Sequence, residues 1–342
     1  MRRAISGYPY SPLKSCLRPN LNFHPSLTRA SRVAIDITPR VVPVPRSTFS
    51  LYTTHQGQPL SIMTTTKTIP LYQTDERQHT HTTTIQKIYP VSLLSETNKP
   101  LFKSPSEKDF ILVVAETVFY AQGGGQPSDT GIITLDSDRE GVIFTVSSVR
   151  NGEGGEILHL GSFSTDIPDG SEEVPFKTGD AVFQKIDSEK RVLNSRIHTA
   201  GHIIGLSVRA LTLSTGEKEA TIPPVTELKA QHYPDLAFVD FQGSIEGKFK
   251  DAIQKQVDEY VAAKLPVKVY FWNEEELREK CAVVPGAVSI PEGELVRAVD
   301  IVGAGAYPCG GTHVEDTGVV GKVTVKKISR SKGNSKVSYT VS

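Results

Sequence analysis

At Asp187 the chain changes its period. Leu193, Ile197, Ala200, Ile204, Val208 and Leu211 recur at steps of three and four, which lays one apolar stripe along a helix. Asp187 or Ser188 can cap its start, and Glu189 falls in the first turn, where the helix dipole favours a negative charge. Upstream there are only short β-branched and aromatic runs: Phe110 to Tyr120, Gly131 to Leu135, Val142 to Val146 and Ile157 to Leu160. Gly, Asp and Ser clusters separate them, a spacing that predicts a small antiparallel β-barrel-like domain. Downstream the pattern is mixed. A second helix is expected from Ile245 to Lys264, stopping at Pro266, then a strand over Val267 to Phe271 and a short helix over Glu274 to Cys281. A strand from Leu295 to Val302 and a hairpin from Gly321 to Val341, turning at Gly333-Asn334, complete it. The expected class is α+β: a β domain over 85–181 followed by a mixed α/β domain over 182–342.

A chain of 342 residues suits two such domains. No apolar run approaches the ~20 residues that cross a bilayer, so a soluble protein is expected. The formal charge is zero, with 38 basic and 38 acidic side chains, but it is unevenly spread. Residues 1–62 hold eight basic side chains and one acid, Asp36, leaving 30 basic and 37 acidic in the remainder. A nucleic-acid partner would have to be met by a local basic patch. Three cysteines, Cys16, Cys281 and Cys309, are too few for a disulfide framework, which points to a reducing compartment.

Residues 1–62 are rich in Arg, Ser and Pro, the composition of a mitochondrial transit peptide. The same composition describes a disordered tail, or sequence bypassed by a start at Met63. A cytoplasmic protein is expected, with mitochondrial targeting by residues 1–62 under the first reading. Thr64 to Thr84 is polar and threonine-rich and reads as linker, so 1–84 is set apart as an extension and structure is expected to begin near Ile85.

His198 and His202 lie on the first helix, four residues apart, and so project from one face about one turn apart. Far downstream stands Cys309-Gly-Gly-Thr-His313, a thiolate and an imidazole on a segment whose two glycines allow it to fold around an ion. Either pair alone is common in proteins that bind nothing. Together they make a His₃Cys set, and mixed nitrogen and sulfur donors suit Zn²⁺ better than Mg²⁺ or Ca²⁺. His79 and His81 fall in the polar linker and read as solvated, and His159 as a packed strand residue. His232, beside Tyr233-Pro234, reads as a loop residue, and Cys281 as core.

Arg196-Ile-His-Thr-Ala-Gly-His202 and Pro308-Cys-Gly-Gly-Thr-His-Val314 resemble the two metal-binding motifs of alanyl-tRNA synthetase editing domains and of freestanding alanyl-tRNA editing proteins of the AlaX type. Phe119-Tyr-Ala-Gln-Gly-Gly-Gly-Gln-Pro-Ser-Asp-Thr-Gly131 is similar to the glycine-rich motif of the β domain that precedes the editing domain in the longer AlaX forms. Taken alone, these glycines are a turn, since no Lys-Ser or Lys-Thr follows to make a phosphate loop. The resemblance covers roughly Ile85 to Ser342 and is silent on 1–84.

The resemblance implies an aminoacyl-tRNA deacylase: hydrolysis, in trans, of the ester that joins a wrong serine or glycine to alanine tRNA. Small side chains are poorly discriminated by a binding pocket, so a second site must remove them. Zinc would polarise the carbonyl, generate hydroxide or hold the amino group. Four protein ligands usually mark a closed structural site, which conflicts with catalysis unless one ligand is loose or the shell expands. Thr199 either offers its hydroxyl to the substrate or bonds back to the helix. Gln126 is a candidate for pocket contact. Lys322, Lys326, Lys327, Arg330, Lys332 and Lys336 fall within fifteen residues without an acid, and Lys326, Lys327, Arg330 and Lys332 are the candidates for tRNA phosphate contact. Two alternatives stand: removal of serine from threonine tRNA, and a non-catalytic tRNA-binding module with structural zinc. A zinc protease is a poor third reading, because Thr199 stands where the base glutamate would follow His198.

Overall fold

The computed structural model describes residues 67–165, 167, 174–213, 220–282 and 293–342. The targeting segment expected over 1–62 lies outside them. Six barrel strands follow one another in chain order: β1 (Thr80–Pro90), β2 (Phe110–Val114), β3 (Gly131–Leu135), β4 (Asp138–Asn151), β5 (Ile157–Phe163) and β6 (Ala181–Ile186). They close into an antiparallel barrel in the order β1-β2-β5-β4-β3-β6. Closure leaves no unpaired edge, and alternate residues fill the interior. Val182 and Ile186 of β6 point inward with Leu112, Ile133, Phe144 and Val146, while Ala181 and Lys185 face out.

Regular structure is already present ahead of Ile85 among the described residues. Thr80 to Thr84 pair with Lys185 to Ala181 inside the barrel, and Ile69–Pro70 pairs in parallel with Glu116–Thr117. Composition misleads here because a threonine run is polar yet β-branched, and its backbone pairs as well as any other. The strand expected over Phe110 to Tyr120 breaks after Val114 and resumes only at Glu116–Thr117, and beyond it the Tyr120 amide donates to Asp129 Oδ2 at 2.8 Å.

α1 (Ser188–Thr212) follows β6 directly, capped by the Asp187 side chain on the Lys190 amide at 3.0 Å. It packs against an antiparallel sheet of β7 (Thr226–Tyr233), β8 (Leu236–Gln242), β12 (Val323–Ser331) and β13 (Asn334–Val341), ordered β12-β13-β8-β7. α2 (Lys250–Ala262) lies beside it on the same core of Ile203, Val239, Ile253, Val257 and Val337. α2 starts later than Ile245, since the amide of that buried residue accepts its place beside Ser335 by donating to Oγ at 2.8 Å. A third, three-stranded sheet holds β9 (Val267–Trp272), β10 (Val296–Ile301) and β11 (Gly305–Pro308), with α3 (Glu274–Lys280) between β9 and β10 in sequence. No helix among the described residues is long and apolar enough to cross a membrane.

Arg191 on α1 and Asp129 in the loop before β3 form an ion pair, and each residue is 1% exposed. Arg191 also donates to the Glu76 carbonyl at 2.8 Å, so one guanidinium joins the first turns of α1 to the barrel loops. A buried charge that loses its partner costs far more than the pair contributes. Asp129→Asn should therefore lower unfolding free energy by about 3–5 kcal/mol in denaturant titrations, and Asp129→Leu with Arg191→Met should recover much of that loss.

Candidate metal centre

α1 sets His198 and His202 on one face, with ring centroids 5.0 Å apart. β11 delivers the Cys309-Gly-Gly-Thr-His313 loop against that face. Cys309 Sγ lies 3.5 Å from His198 Nε2 and 3.4 Å from His313 Nε2. One donor atom from each of His198, His202, Cys309 and His313 falls within 4.8 Å of every other. Tetrahedral zinc with Zn–N of about 2.0–2.1 Å and Zn–S of about 2.3 Å needs donors roughly 3.3–3.6 Å apart. Both measured sulfur distances meet that demand. Gly311 is required by this approach, since a Cβ there would sit 2.2 Å from His198 Cε1.

Hydrogen bonds decide which ring nitrogens are free. Gln126 Oε1 lies 2.7 Å from His198 Nδ1 and also accepts from the Thr312 amide at 3.0 Å. An amide oxygen only accepts, so His198 carries its proton on Nδ1 and its Nε2 lone pair faces Cys309. Thr199 Oγ1 donates to the Ser195 carbonyl at 2.9 Å and lies 3.1 Å from His313 Nδ1. Its one proton is already used, so His313 Nδ1 must donate and Nε2 is again free. His202 differs: its Nδ1 is buried without a hydrogen-bond partner among the described residues. An orphaned nitrogen in a nest of imidazoles fits a site built for a cation.

Gln126 is fully buried, and its Nε2 donates to Thr312 Oγ1 at 2.9 Å, so the carboxamide joins the glycine-rich loop to both donor-bearing segments. Glu76 and Arg297, which motif spacing does not single out, form an ion pair beside the Cys309–His313 loop. His232 is not a loop residue. It lies on β7, buried, stacked on His198 at 4.2 Å, with Nδ1 2.8 Å from the Tyr339 hydroxyl. Tyr307 packs against the His202 ring at 4.5 Å and donates to Glu227 Oε2 at 2.8 Å. The linker histidines are placed too: His81 Nε2 contacts Glu116 Oε2 at 2.8 Å, and His79 lines a cleft of about 350 Å³ that reaches His313. His159 is buried in the barrel, with Nδ1 3.0 Å from the Leu112 carbonyl. Cys281 packs against the Trp272 and Leu277 cluster.

Lys326, Lys327, Arg330 and Lys332 are exposed along β12 and the turn after it, and Arg330 reaches Ser244 Oγ at 3.3 Å. Lys336 lies over the Phe238 ring, 3.9 Å from Asp240.

Two family descriptions match the chain: class II (A) tRNA synthetases over residues 53–190, and the second additional domain of threonyl and alanyl tRNA synthetases over residues 296–337. The chain is 32% identical over 247 residues to an alanyl-tRNA editing protein AlaX-M of Methanosarcina barkeri, covering 70% of this chain and 93% of that one. It is 27% identical over 242 residues to AlaX-L of Pyrococcus horikoshii, covering 70% of this chain and 54% of the relative. It is also 27% identical over 225 residues to an alanine–tRNA ligase of Methanothermobacter thermautotrophicus, covering 64% of this chain and 22% of the ligase.

Burial depresses every imidazole of the cluster. His202 and His232 fall to about 3, and His198 and His313 well below their ordinary value, the neighbouring imidazoles adding to the effect. Burial also raises Cys309 to about 11 and Glu227 to about 7. In the metal-free chain, unfolded imidazoles take up protons below about pH 6.5 while the folded ones do not. Stability from these groups is therefore complete above that value and lost as pH falls toward 3. Glu227 acts in the opposite sense, losing its contribution as pH rises from about 4.5 toward 7, and burial raises Glu76 and Asp300 in the same direction, but the depressed imidazoles outnumber these carboxyls. The melting temperature of metal-free protein should fall steadily from pH 6.5 to pH 4.5; a flat profile would refute the buried neutral cluster.

Proposed function

Because the chain belongs to the alanyl-tRNA editing protein family, we propose that it hydrolyses the ester linking a wrongly attached serine or glycine to alanine tRNA. It acts in trans, with the α/β half carrying the chemistry and the barrel serving it. The observation that supports this reading best is the convergence of His198 and His202 with Cys309 and His313, although His198 and Cys309 stand 111 residues apart in sequence.

These four side chains would hold Zn²⁺, for which three imidazoles and a thiolate are suitable donors. When bound, zinc supplies Lewis acidity to the ester carbonyl or to water. The protein's own groups prepare the site. Gln126 and Thr199 act as positioning residues, each keeping a proton on the outer nitrogen of a ligand histidine. The Thr199 proton goes to the Ser195 carbonyl, which favours bonding back to the helix over a hydroxyl aimed at substrate. A loosened ligand or an expanded shell would reconcile four ligands with a catalytic ion, and His202, whose Nδ1 has no hydrogen-bond partner among the described residues, is the ligand this reading would loosen. The cleft beside His313 gives the acceptor end a way in.

Lys326, Lys327, Arg330 and Lys332 contact tRNA phosphates in this reading. Tyr339 meets His232 at one end of β13, and Asn334 begins the other. Five residues at about 3.4 Å each put the basic turn roughly 17 Å away. That separation suits phosphates behind the terminal nucleotide rather than the ester.

The closed, buried ligand set favours one rival, a tRNA-binding module with structural zinc. Wild-type protein and Cys309→Ala should be compared on serine- and glycine-charged alanine tRNA, with zinc content measured alongside. The expected result is one zinc per wild-type chain and a deacylation rate at least 100-fold above Cys309→Ala, with His198→Asn losing more metal than His202→Asn. Equal rates in wild type and Cys309→Ala would establish the binding module instead. Separately, Lys326→Glu with Lys332→Glu should weaken tRNA binding and flatten its dependence on salt by about one logarithmic unit per lost contact, with zinc content unchanged. Binding unaltered at both low and moderate salt would remove the hairpin from the interface.

A further inference from the structure

The Cys309–His313 loop has two adjacent glycines, so its own sequence leaves its path underdetermined. Its shape is held from outside. Arg297 on β10 donates from Nη1 to the Cys309 carbonyl at 2.7 Å and to the Gly311 carbonyl at 2.9 Å. Arg297 Nε donates to the Gln73 carbonyl at 2.9 Å, and Nη2 pairs with Glu76 Oε1. The second carboxylate oxygen of Glu76 accepts from the His313 amide at 2.8 Å. The Cys309 amide in turn donates to the Arg297 carbonyl at 3.0 Å. One ion pair, with side chains only 14% and 5% exposed, thus grips the first, third and fifth residues of the loop.

We propose that Glu76 and Arg297 are a positioning pair that holds the Cys309–His313 loop in its metal-binding shape. The proposal rests on reading the four-residue cluster as a zinc site. Only a guanidinium can serve three carbonyls and a carboxylate from a fixed planar fork; an ammonium is a point donor without that geometry. Glu76 supplies the counter-charge that makes burial of the fork tolerable and at the same time fixes the backbone of His313. Groups that hold ligands without touching the ion commonly change metal affinity 10- to 100-fold. Glu76 and Gln73 both lie ahead of the barrel's first strand, so that short N-terminal segment belongs to the metal centre.

The test uses the full zinc-loaded chain and follows release of zinc into a chromogenic chelator, with thermal unfolding recorded in parallel. Arg297→Lys should release zinc at least tenfold faster than wild type. Glu76→Gln keeps an acceptor for the His313 amide but loses the charge, and should accelerate release severalfold. Arg150→Lys is the comparison, because Arg150 binds the Leu101 and Val149 carbonyls in the barrel and none in the loop. It should release zinc at the wild-type rate even where its melting temperature drops. Release from Arg297→Lys within twofold of wild type, or equal acceleration in Arg150→Lys, would overturn the proposal. Wild-type protein that holds zinc without deacylating would defeat the hydrolase reading alone, and wild type that holds no zinc would defeat both.

Discussion

An imidazole can offer its Nε2 lone pair to a cation only while its proton stays on Nδ1, and two buried acceptors enforce that choice here. Gln126 does so for His198 and Thr199 for His313. Both are neutral. A carboxylate in either place would bind the outer proton more strongly, but would carry a charge into a region from which water is excluded. Neutral acceptors fix the tautomer without that cost, and leave the thiolate of Cys309 as the charge a divalent ion would meet first. Burial holds the thiol protonated until such an ion arrives, so metal binding should be coupled to proton release.

The dependence extends outward from these two bonds. Gln126 can accept from His198 only because the glycine-rich loop carries it to α1, and the Arg191–Asp129 pair ties that loop region to the first turns of the helix. On the other side, β10 and β11 bring Arg297 and Cys309 to the same edge, and the segment ahead of β1 closes over them with Glu76. Disturbing the barrel therefore changes the geometry of residues far from it in sequence. This gives a physical reason for a barrel that supplies none of the four donors itself.

Local chemistry was largely readable from the residues. The helical stripe, the Asp187 cap and the two donor pairs follow from spacing, because each depends on neighbours within a few positions; the C-terminal hairpin follows too, but it turns at Lys332-Gly333, one position ahead of the expected Gly333-Asn334, with Asn334 already paired to Ser331. Glu76, Arg297 and the inward place of His232 did not. Their partners lie 221 residues away for Glu76 with Arg297 and 107 for His232 with Tyr339, and no periodicity encodes such pairings. The threonine run failed as a guide for a different reason. Barrel closure satisfies the backbone of Thr80 to Thr84 whatever its side chains, so polarity carried no information about order.

His232 shows how far composition alone can mislead about a site. Next to Tyr-Pro it has the look of a turn residue, yet the strand runs on through Tyr233, the turn begins only at Pro234, and the strand carries the His232 ring inward onto His198. Tyr339 donates to the Ile197 carbonyl at 3.0 Å, so the His232 Nδ1 must donate to that hydroxyl. The same tautomer rule that governs His198 and His313 thus reaches a third ring that is not among the four donors. Three histidines held in one protonation pattern by a glutamine, a threonine and a tyrosine point to a cluster whose neutrality is imposed by the surrounding core. A surface site would leave that pattern to the solvent.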